Sequence, residues 1–74
     1  MHGQEFVAIP VESSLLSSVA YSKDATLELH FRHGAIYRYF DVPPALFQAL
    51  LDAESKGAFF NHNIRDQFQY QRLA

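Results

Sequence analysis

The sequence contains no cysteine, and its three glycines, at positions 3, 34 and 57, are isolated from one another. The absence of cysteine excludes a disulfide framework, a thiol nucleophile, a cysteine-based zinc site and an iron–sulfur cluster. Isolated glycines exclude a glycine-rich loop that cradles phosphate groups. A chain of 74 residues forms one domain, and without disulfides its stability must come from a hydrophobic core alone.

Long apolar runs are also absent. No segment approaches the ~20 apolar residues that a membrane-spanning helix needs. The first five residues lack the basic start and apolar run of a secretory signal peptide. We therefore expect a cytoplasmic domain.

Positive charge is scarce, since the net charge is −2, and the chain as a whole is not a polycation. The charges are unevenly distributed. Residues 1–55 carry three Lys or Arg against seven Asp or Glu, whereas residues 56–74 carry three against one. The C-terminal quarter is thus a mildly basic piece, which makes it a candidate polyanion-facing surface.

Alternating apolar residues predict an antiparallel sheet. Val19 and Tyr21 alternate with small or polar residues, a turn follows at Lys23-Asp24, and residues 25–32 then alternate cleanly. After His33-Gly34, residues 35–40 are rich in aromatic and β-branched side chains and form the predicted return strand. Upstream, residues 6–9 form a candidate short strand in an otherwise partly disordered segment 1–10, and residues 11–74 form the domain.

The register of the central hairpin decides where Tyr37 and Tyr39 point, and two registers remain open. A two-residue type I′ loop at His33-Gly34 puts both tyrosines on the exposed face. A three-residue loop with Gly34 in the left-handed position puts both on the core face and pairs Glu28 with Arg38 outside. The second register is favoured because it gives Arg38 a partner.

Two helices follow the sheet. Pro43-Pro44 suits a first helical turn, and a 3.6-residue stripe of apolar residues predicts a helix at 43–54. Ser55 is a candidate N-cap for a second helix at 56–66, and residues 68–72 alternate as a terminal edge strand. The predicted fold is α+β: an antiparallel hairpin or three-stranded meander covered on one face by two short helices. The predicted core comprises Val19, Leu27, Leu29, Phe31, Phe47, Leu50, Leu51, Phe60 and Ile64.

An ordered series of short motifs runs through the chain: Val11-Glu12-Ser13-Ser14, Val19-Ala20-Tyr21, Leu27-Glu28-Leu29-His30-Phe31, Tyr37-Arg38-Tyr39-Phe40, Val42-Pro43-Pro44, Ala53-Glu54-Ser55-Lys56-Gly57, Phe59-Phe60-Asn61 and Ile64-Arg65. From about residue 11 to residue 73 this series resembles the KTSC domain family. That family includes a short module at the C-terminus of some lysyl-tRNA synthetases and free-standing small bacterial proteins. Ala20 stands where many members have glycine. The resemblance implies RNA binding by association with the synthetase.

A candidate RNA-binding surface follows from the aromatic and basic residues. It combines Arg38, His62, Arg65 and Arg72, with Tyr37 and Tyr39 if the type I′ register holds. Tyrosines can stack unpaired bases and arginines can contact phosphates. The rival hypothesis is a protein-interaction module that docks a partner through an exposed aromatic patch, which the net charge favours.

Catalytic and metal sites are not indicated. His30 and His33 diverge at a strand end, and His62 with Asp66, four apart on the predicted helix, lacks a third ligand for zinc. The same pair is the only candidate for a general base, and nothing marks a substrate pocket beside it. The sequence therefore predicts a non-enzymatic binding module without a cofactor or metal.

Overall fold

A computed structural model describes residue 6 and residues 8–74. The elements form one antiparallel sheet in the order β1-β2-β3-β4-β5, with both helices inserted between β4 and β5. Their bounds are β1 Ile9–Pro10, β2 Leu16–Tyr21, β3 Leu27–Phe31, β4 Ile36–Tyr39, α1 Pro44–Asp52, α2 Lys56–Asn63 and β5 Tyr70–Arg72. The α+β prediction is confirmed, and the sheet is larger than the predicted meander because two short edge strands extend it.

The central hairpin adopts the three-residue loop. Leu29 pairs with Tyr37 and Glu28 with Arg38, and Gly34 has a φ of 104°, a region open chiefly to glycine. The type I′ alternative is wrong. Because cross-strand partners point to the same face, Tyr37 and Tyr39 lie on the face that the helices cover. We call this the inner face and the opposite one the outer face.

The β2–β3 hairpin uses a loop of the same length, Lys23-Asp24-Ala25. Ser22 N–H donates to the Thr26 carbonyl at 3.0 Å, and Ala25 N–H donates back to the Ser22 carbonyl at 3.2 Å. Ala25 has a φ of 63°. The predicted turn is therefore confirmed but is one residue longer, and the strand begins at Leu27 instead of Ala25.

The second helix begins as predicted, the first begins one residue later than predicted, and both end earlier. Pro43 is the extended residue before α1, and the Ser55 side chain caps α2 by accepting from Ala58 N–H. The first helix ends at Asp52 because Ala53 is extended, with φ −68° and ψ 137°. The second ends at Asn63 because the chain turns over residues 64–67, where Asp66 has a φ of 65°.

The core lies between the inner face and the helices. Of the nine predicted core residues, seven are buried, while Phe47 and Leu51 are partly buried and pack against them. Stacking of Phe47 on Tyr21, with ring centroids 4.7 Å apart, fixes α1 on this face. The predicted core list lacked five buried apolar residues: Leu16, Ala20, Ala35, Tyr39 and Val42. Of these, only Tyr39 had been placed on the core face, by the favoured hairpin register.

The edge strands are short. β1 pairs with β2 through Ile9 and Val19, and Pro10 suits an edge because it lacks a backbone N–H. Of the predicted strand at 6–9, only Ile9 is in a strand, Phe6 and Ala8 are outside it, and Val7 lies outside the described residues. The predicted C-terminal edge strand is confirmed as β5. No helix in the described part of the chain is long and apolar enough to cross a membrane.

Candidate functional site

A cleft opens on the inner face between α2 and β5, where neither helix covers the sheet. It encloses about 310 Å³ and we call it the aromatic cleft. Its lining residues are Phe31, His33, Tyr37, Tyr39, Phe60, Arg65, Asp66 and Tyr70.

Tyr37 and Tyr39 form the floor of the aromatic cleft. They are two residues apart on β4, so both side chains point to the inner face, and their rings lie 6.2 Å apart at an interplanar angle of 17°. Tyr39 is 4% exposed, whereas Tyr37 is half-buried. The three-residue hairpin loop sets this orientation, since a one-residue slip would move both rings to the outer face.

One wall comes from the core and the other from the edge strand. Phe60 on α2 makes edge-to-face contacts with Phe31 and Tyr39, with ring centroids 5.4 Å and 5.9 Å apart. Across the cleft, the ring centroid of Tyr70 on β5 lies 5.6 Å from that of Tyr37 and 5.7 Å from that of Tyr39. Tyr70 is 57% exposed, so this wall is accessible from solvent.

The rim carries charge. The Arg72 guanidinium lies 5.7 Å from the centre of the Tyr37 ring, a cation–π distance, because Arg72 pairs with Tyr37 across β4 and β5. Arg65 and Asp66 enter from the turn after α2, in which Gln67 N–H donates to the Ile64 carbonyl at 3.0 Å. This turn needs a left-handed residue, a conformation that aspartate tolerates better than most residues.

Burial and neighbouring charge raise the pKa of Tyr39 to about 12, from an ordinary value of 10.0. Desolvation of the phenol is the largest cause, and the nearby phenols of Tyr37 and Tyr70 add to it. Arg65 lowers this pKa and Asp66 raises it, by smaller amounts. The phenol of Tyr39 is therefore a neutral hydrogen-bonding group at physiological pH, close enough to both rim charges to be influenced by them.

The outer face holds a separate polar cluster. Glu28 accepts from Arg38 Nε at 2.7 Å and lies 2.8 Å from His30 Nε2, and its side chain is only 12% exposed. Burial opposes ionisation of Glu28, but the hydrogen bonds and charges of Arg38 and His30 outweigh it, so the pKa of Glu28 is lowered. The Arg38 guanidinium also lies 4.8 Å from the Phe6 ring centre. Arg38 is therefore already in contact with Glu28 and Phe6.

The six sequence-predicted site residues thus separate into two groups. Tyr37, Tyr39, Arg65 and Arg72 come together at the aromatic cleft, although the two tyrosines were expected to bind only in the type I′ register, which is wrong. Arg38 lies on the outer face, and His62 is an exposed residue of α2 that does not line the cleft. Binding by any of the six stays a prediction.

Sequence reasoning missed five further lining residues. Phe31 and Phe60 were assigned only to the core, and His33, Asp66 and Tyr70 were not assigned to this surface. The alternation of residues 68–72 held a signal for Tyr70, because it places Tyr70 opposite Tyr39 once β5 pairs with β4. His62 and Asp66 are not on one helix, since α2 ends at Asn63. No group of three metal-ligating side chains occurs within residues 6 and 8–74.

Comparisons with known proteins agree with this fold. The model of the KTSC domain family matches residues 12–68. A lysine–tRNA ligase of Nostoc punctiforme is 35% identical over 75 aligned positions, which span 96% of this chain but only 13% of that protein. An uncharacterised protein of Stutzerimonas stutzeri is 42% identical over 67 positions, covering 88% of this chain and 94% of that one. The crystal structure of a KTSC domain protein from Yersinia pestis has a TM-score of 0.89 at 33% identity, covering 95% of this chain and 100% of that chain.

Proposed function

Because the chain belongs to the KTSC domain family, we propose that it is a small non-enzymatic module that binds an unpaired nucleotide of RNA in the aromatic cleft. One observation carries this proposal. The cleft brings tyrosine rings and two arginines together on a chain whose net charge is −2. Although the chain has few positive charges, two of them lie beside rings on which a base can stack.

The rings suit base stacking. Tyr70 is 57% exposed and Tyr37 is half-buried, so part of each ring is accessible to a base that enters the cleft. Stacking on an aromatic side chain contributes about 1–3 kcal/mol per base and tolerates any base. Phe31 and Phe60 hold the floor from behind, so the site needs little rearrangement to accept a base.

The arginines suit the phosphate groups. Both ion pairs among the described residues involve Glu28 on the outer face. Neither Arg65 nor Arg72 is therefore paired with a carboxylate in this part of the chain. Arg72 Nε donates to the Ala74 carbonyl at 2.8 Å, which leaves its other N–H groups available. Two phosphate contacts to a single strand predict a slope of about −1.4 in a plot of log affinity against log salt.

A tRNA is the RNA to test first, since a similar segment is part of a protein named lysine–tRNA ligase. The chain spans about 13% of the length of that ligase, so the proposal concerns binding and not aminoacylation. Binding of such an RNA fits the predicted cytoplasmic location.

The test is an amide NMR titration of the isotope-labelled chain with bulk tRNA at low salt, repeated at about 200 mM salt. We expect shifts at Tyr37, Tyr39, Arg65, Tyr70 and Arg72 that shrink at the higher salt. An unchanged spectrum at high tRNA concentration would overturn the proposal.

Matched variants locate the contact. The double variant Arg65→Gln/Arg72→Gln should weaken tRNA binding at least tenfold, because each phosphate contact is electrostatic. Lys23→Gln removes a positive charge in the β2–β3 loop, and Lys23 does not line the cleft. Lys23→Gln removes one charge and the double variant removes two, so a loss of binding free energy in Lys23→Gln that reaches half of the loss in the double variant would mean that binding follows net charge and not the cleft.

A protein-interaction role is the second candidate, and the exposure of β5 favours it. Tyr70 is 57% and Leu73 is 42% exposed at the edge of the sheet. Apolar docking changes little with salt, whereas phosphate binding weakens steeply. A partner whose affinity is unchanged at about 200 mM salt would therefore support this second candidate.

A further inference from the structure

The aromatic cleft contains a negative charge that phosphate binding does not explain. Asp66 lines the cleft beside Arg65, and its charge influences the phenol of Tyr39. Within residues 6 and 8–74 the Asp66 carboxylate has no ion pair and no hydrogen bond. A carboxylate repels phosphate, so in a nucleotide site it must face a part of the ligand that donates hydrogen bonds.

We infer that Asp66 is a specificity-determining residue that selects guanine in the aromatic cleft. This inference rests on the proposed function, because it names the base that the cleft reads. Tyr37 and Tyr70 supply stacking, Arg65 and Arg72 contact phosphate, and Asp66 reads the edge of the base.

The chemistry of the bases makes guanine the match. An ionised carboxylate only accepts hydrogen bonds, through two oxygens. Guanine presents two adjacent donors, the ring N1–H and the exocyclic amino group, which one carboxylate can accept together. Adenine and cytosine present one amino donor next to a ring nitrogen that repels the second oxygen. Uracil presents its N3–H between two carbonyl oxygens, and both of these repel the carboxylate.

The backbone holds Asp66 in place for this role. The Gln67 N–H to Ile64 carbonyl bond closes the turn, and the left-handed φ of 65° at Asp66 fixes the direction in which its side chain leaves the chain. Asparagine also adopts this conformation readily, so Asp66→Asn removes the carboxylate and retains the turn.

The experiment uses five single-stranded RNA hexamers of uridine in which one central position is guanine, adenine, cytosine, uracil or hypoxanthine. Binding to the full chain is measured by fluorescence anisotropy at low salt. We expect the guanine hexamer to bind about tenfold more tightly than the adenine, cytosine and uracil hexamers, as a two-bond base contact does elsewhere. Hypoxanthine keeps N1–H and lacks the amino group, so its hexamer should bind with intermediate affinity.

Two variants assign the preference. Asp66→Asn should reduce the guanine preference to less than about twofold and leave the uridine hexamer bound at least as tightly. Asp41→Asn is the matched control. Asp41 also has a left-handed φ, 59°, and does not line the cleft, so this variant should keep the full preference.

The outcomes separate the two proposals. Binding of all five hexamers without a guanine preference would overturn the role of Asp66 and leave the proposed function intact. A guanine preference that survives in Asp66→Asn would also overturn it. No binding of any hexamer would overturn the proposed function and the inference with it.

Discussion

Ala25 and Gly34 occupy the same left-handed position in two hairpin loops of equal length. Gly34 N–H donates to the Phe31 carbonyl at 2.9 Å, and Ala25 N–H donates to the Ser22 carbonyl at 3.2 Å. The φ angles are 104° for Gly34 and 63° for Ala25. The left-handed conformation costs a residue that has a Cβ roughly 1–2 kcal/mol of conformational energy. The β2–β3 loop therefore carries strain that the β3–β4 loop avoids.

Exchanging these residue types should change stability in opposite directions. Ala25→Gly relieves the strain and increases the entropy of the unfolded chain, with a net stabilisation of about 0.5–1 kcal/mol. Gly34→Ala should destabilise by about 1 kcal/mol or more. A Cβ at Gly34 meets nothing within 4 Å, so this loss is due to the backbone alone. Urea unfolding followed by circular dichroism measures both.

The double variant Ala25→Gly/Gly34→Ala is the control, because independent sites add. Its free energy of unfolding should lie within about 0.5 kcal/mol of the sum of the two single effects. A destabilised Ala25→Gly chain would contradict the account of strain.

Hydrophobic alternation was sufficient to predict β3 and β4, because each strand is regular over its length. It left the hairpin register open, and the pairing of Glu28 with Arg38 was favoured only because it gives Arg38 a partner. Alternation failed at the start of β2. A bulge shifts the register between Leu16 and Ser18, so Leu16 and Val19, three residues apart, are both buried. A period of two cannot predict that pattern, and residues 13–18 accordingly showed no clear period.

The aromatic cleft was only partly predictable for a different reason. The orientation of Tyr37 and Tyr39 depends on the length of one loop, and a change of one residue exchanges the two faces. Tyr70 and Asp66 lie at the cleft because the chain returns to the sheet after two helices. Alternation along a single strand does not predict such a long-range contact. Arg38 was wrongly assigned to the candidate RNA-binding surface, because the aromatic and basic residues were all assigned to one surface before the hairpin register was known.

Glu28 on the outer face should make stability depend on acid. Its pKa is lowered from an ordinary 4.5 in the folded chain, so its contribution is fully present above about pH 4.5 and is lost as the pH falls through the lower folded value. Glu28→Gln should remove about 1.5–3 kcal/mol at neutral pH, the range for hydrogen bonds to a charged group. Urea unfolding at a series of pH values from neutral to acidic measures this loss.

Glu54→Gln serves as the control, because Glu54 is an exposed carboxylate between the two helices. Its stability should stay within about 0.5 kcal/mol of the unsubstituted chain at every pH. The gap between Glu28→Gln and the unsubstituted chain should narrow on acidification, and a gap that stays constant down to the lowest pH would contradict the pairing.

Tyr39 should ionise after the ordinary range for tyrosine. Burial first, and then the phenols of Tyr37 and Tyr70, raise its pKa to about 12 from 10.0. A raised folded pKa contributes stability that is present below about pH 10 and is lost as the pH rises toward 12. The ultraviolet absorbance of tyrosinate should contain a component near pH 12 that disappears in Tyr39→Phe. In Tyr70→Phe the same component should move to lower pH, since one of the groups that raise the pKa of Tyr39 is gone. If the component near pH 12 persists in Tyr39→Phe, a different tyrosine ionises last and Tyr39 is not the desolvated floor of the cleft.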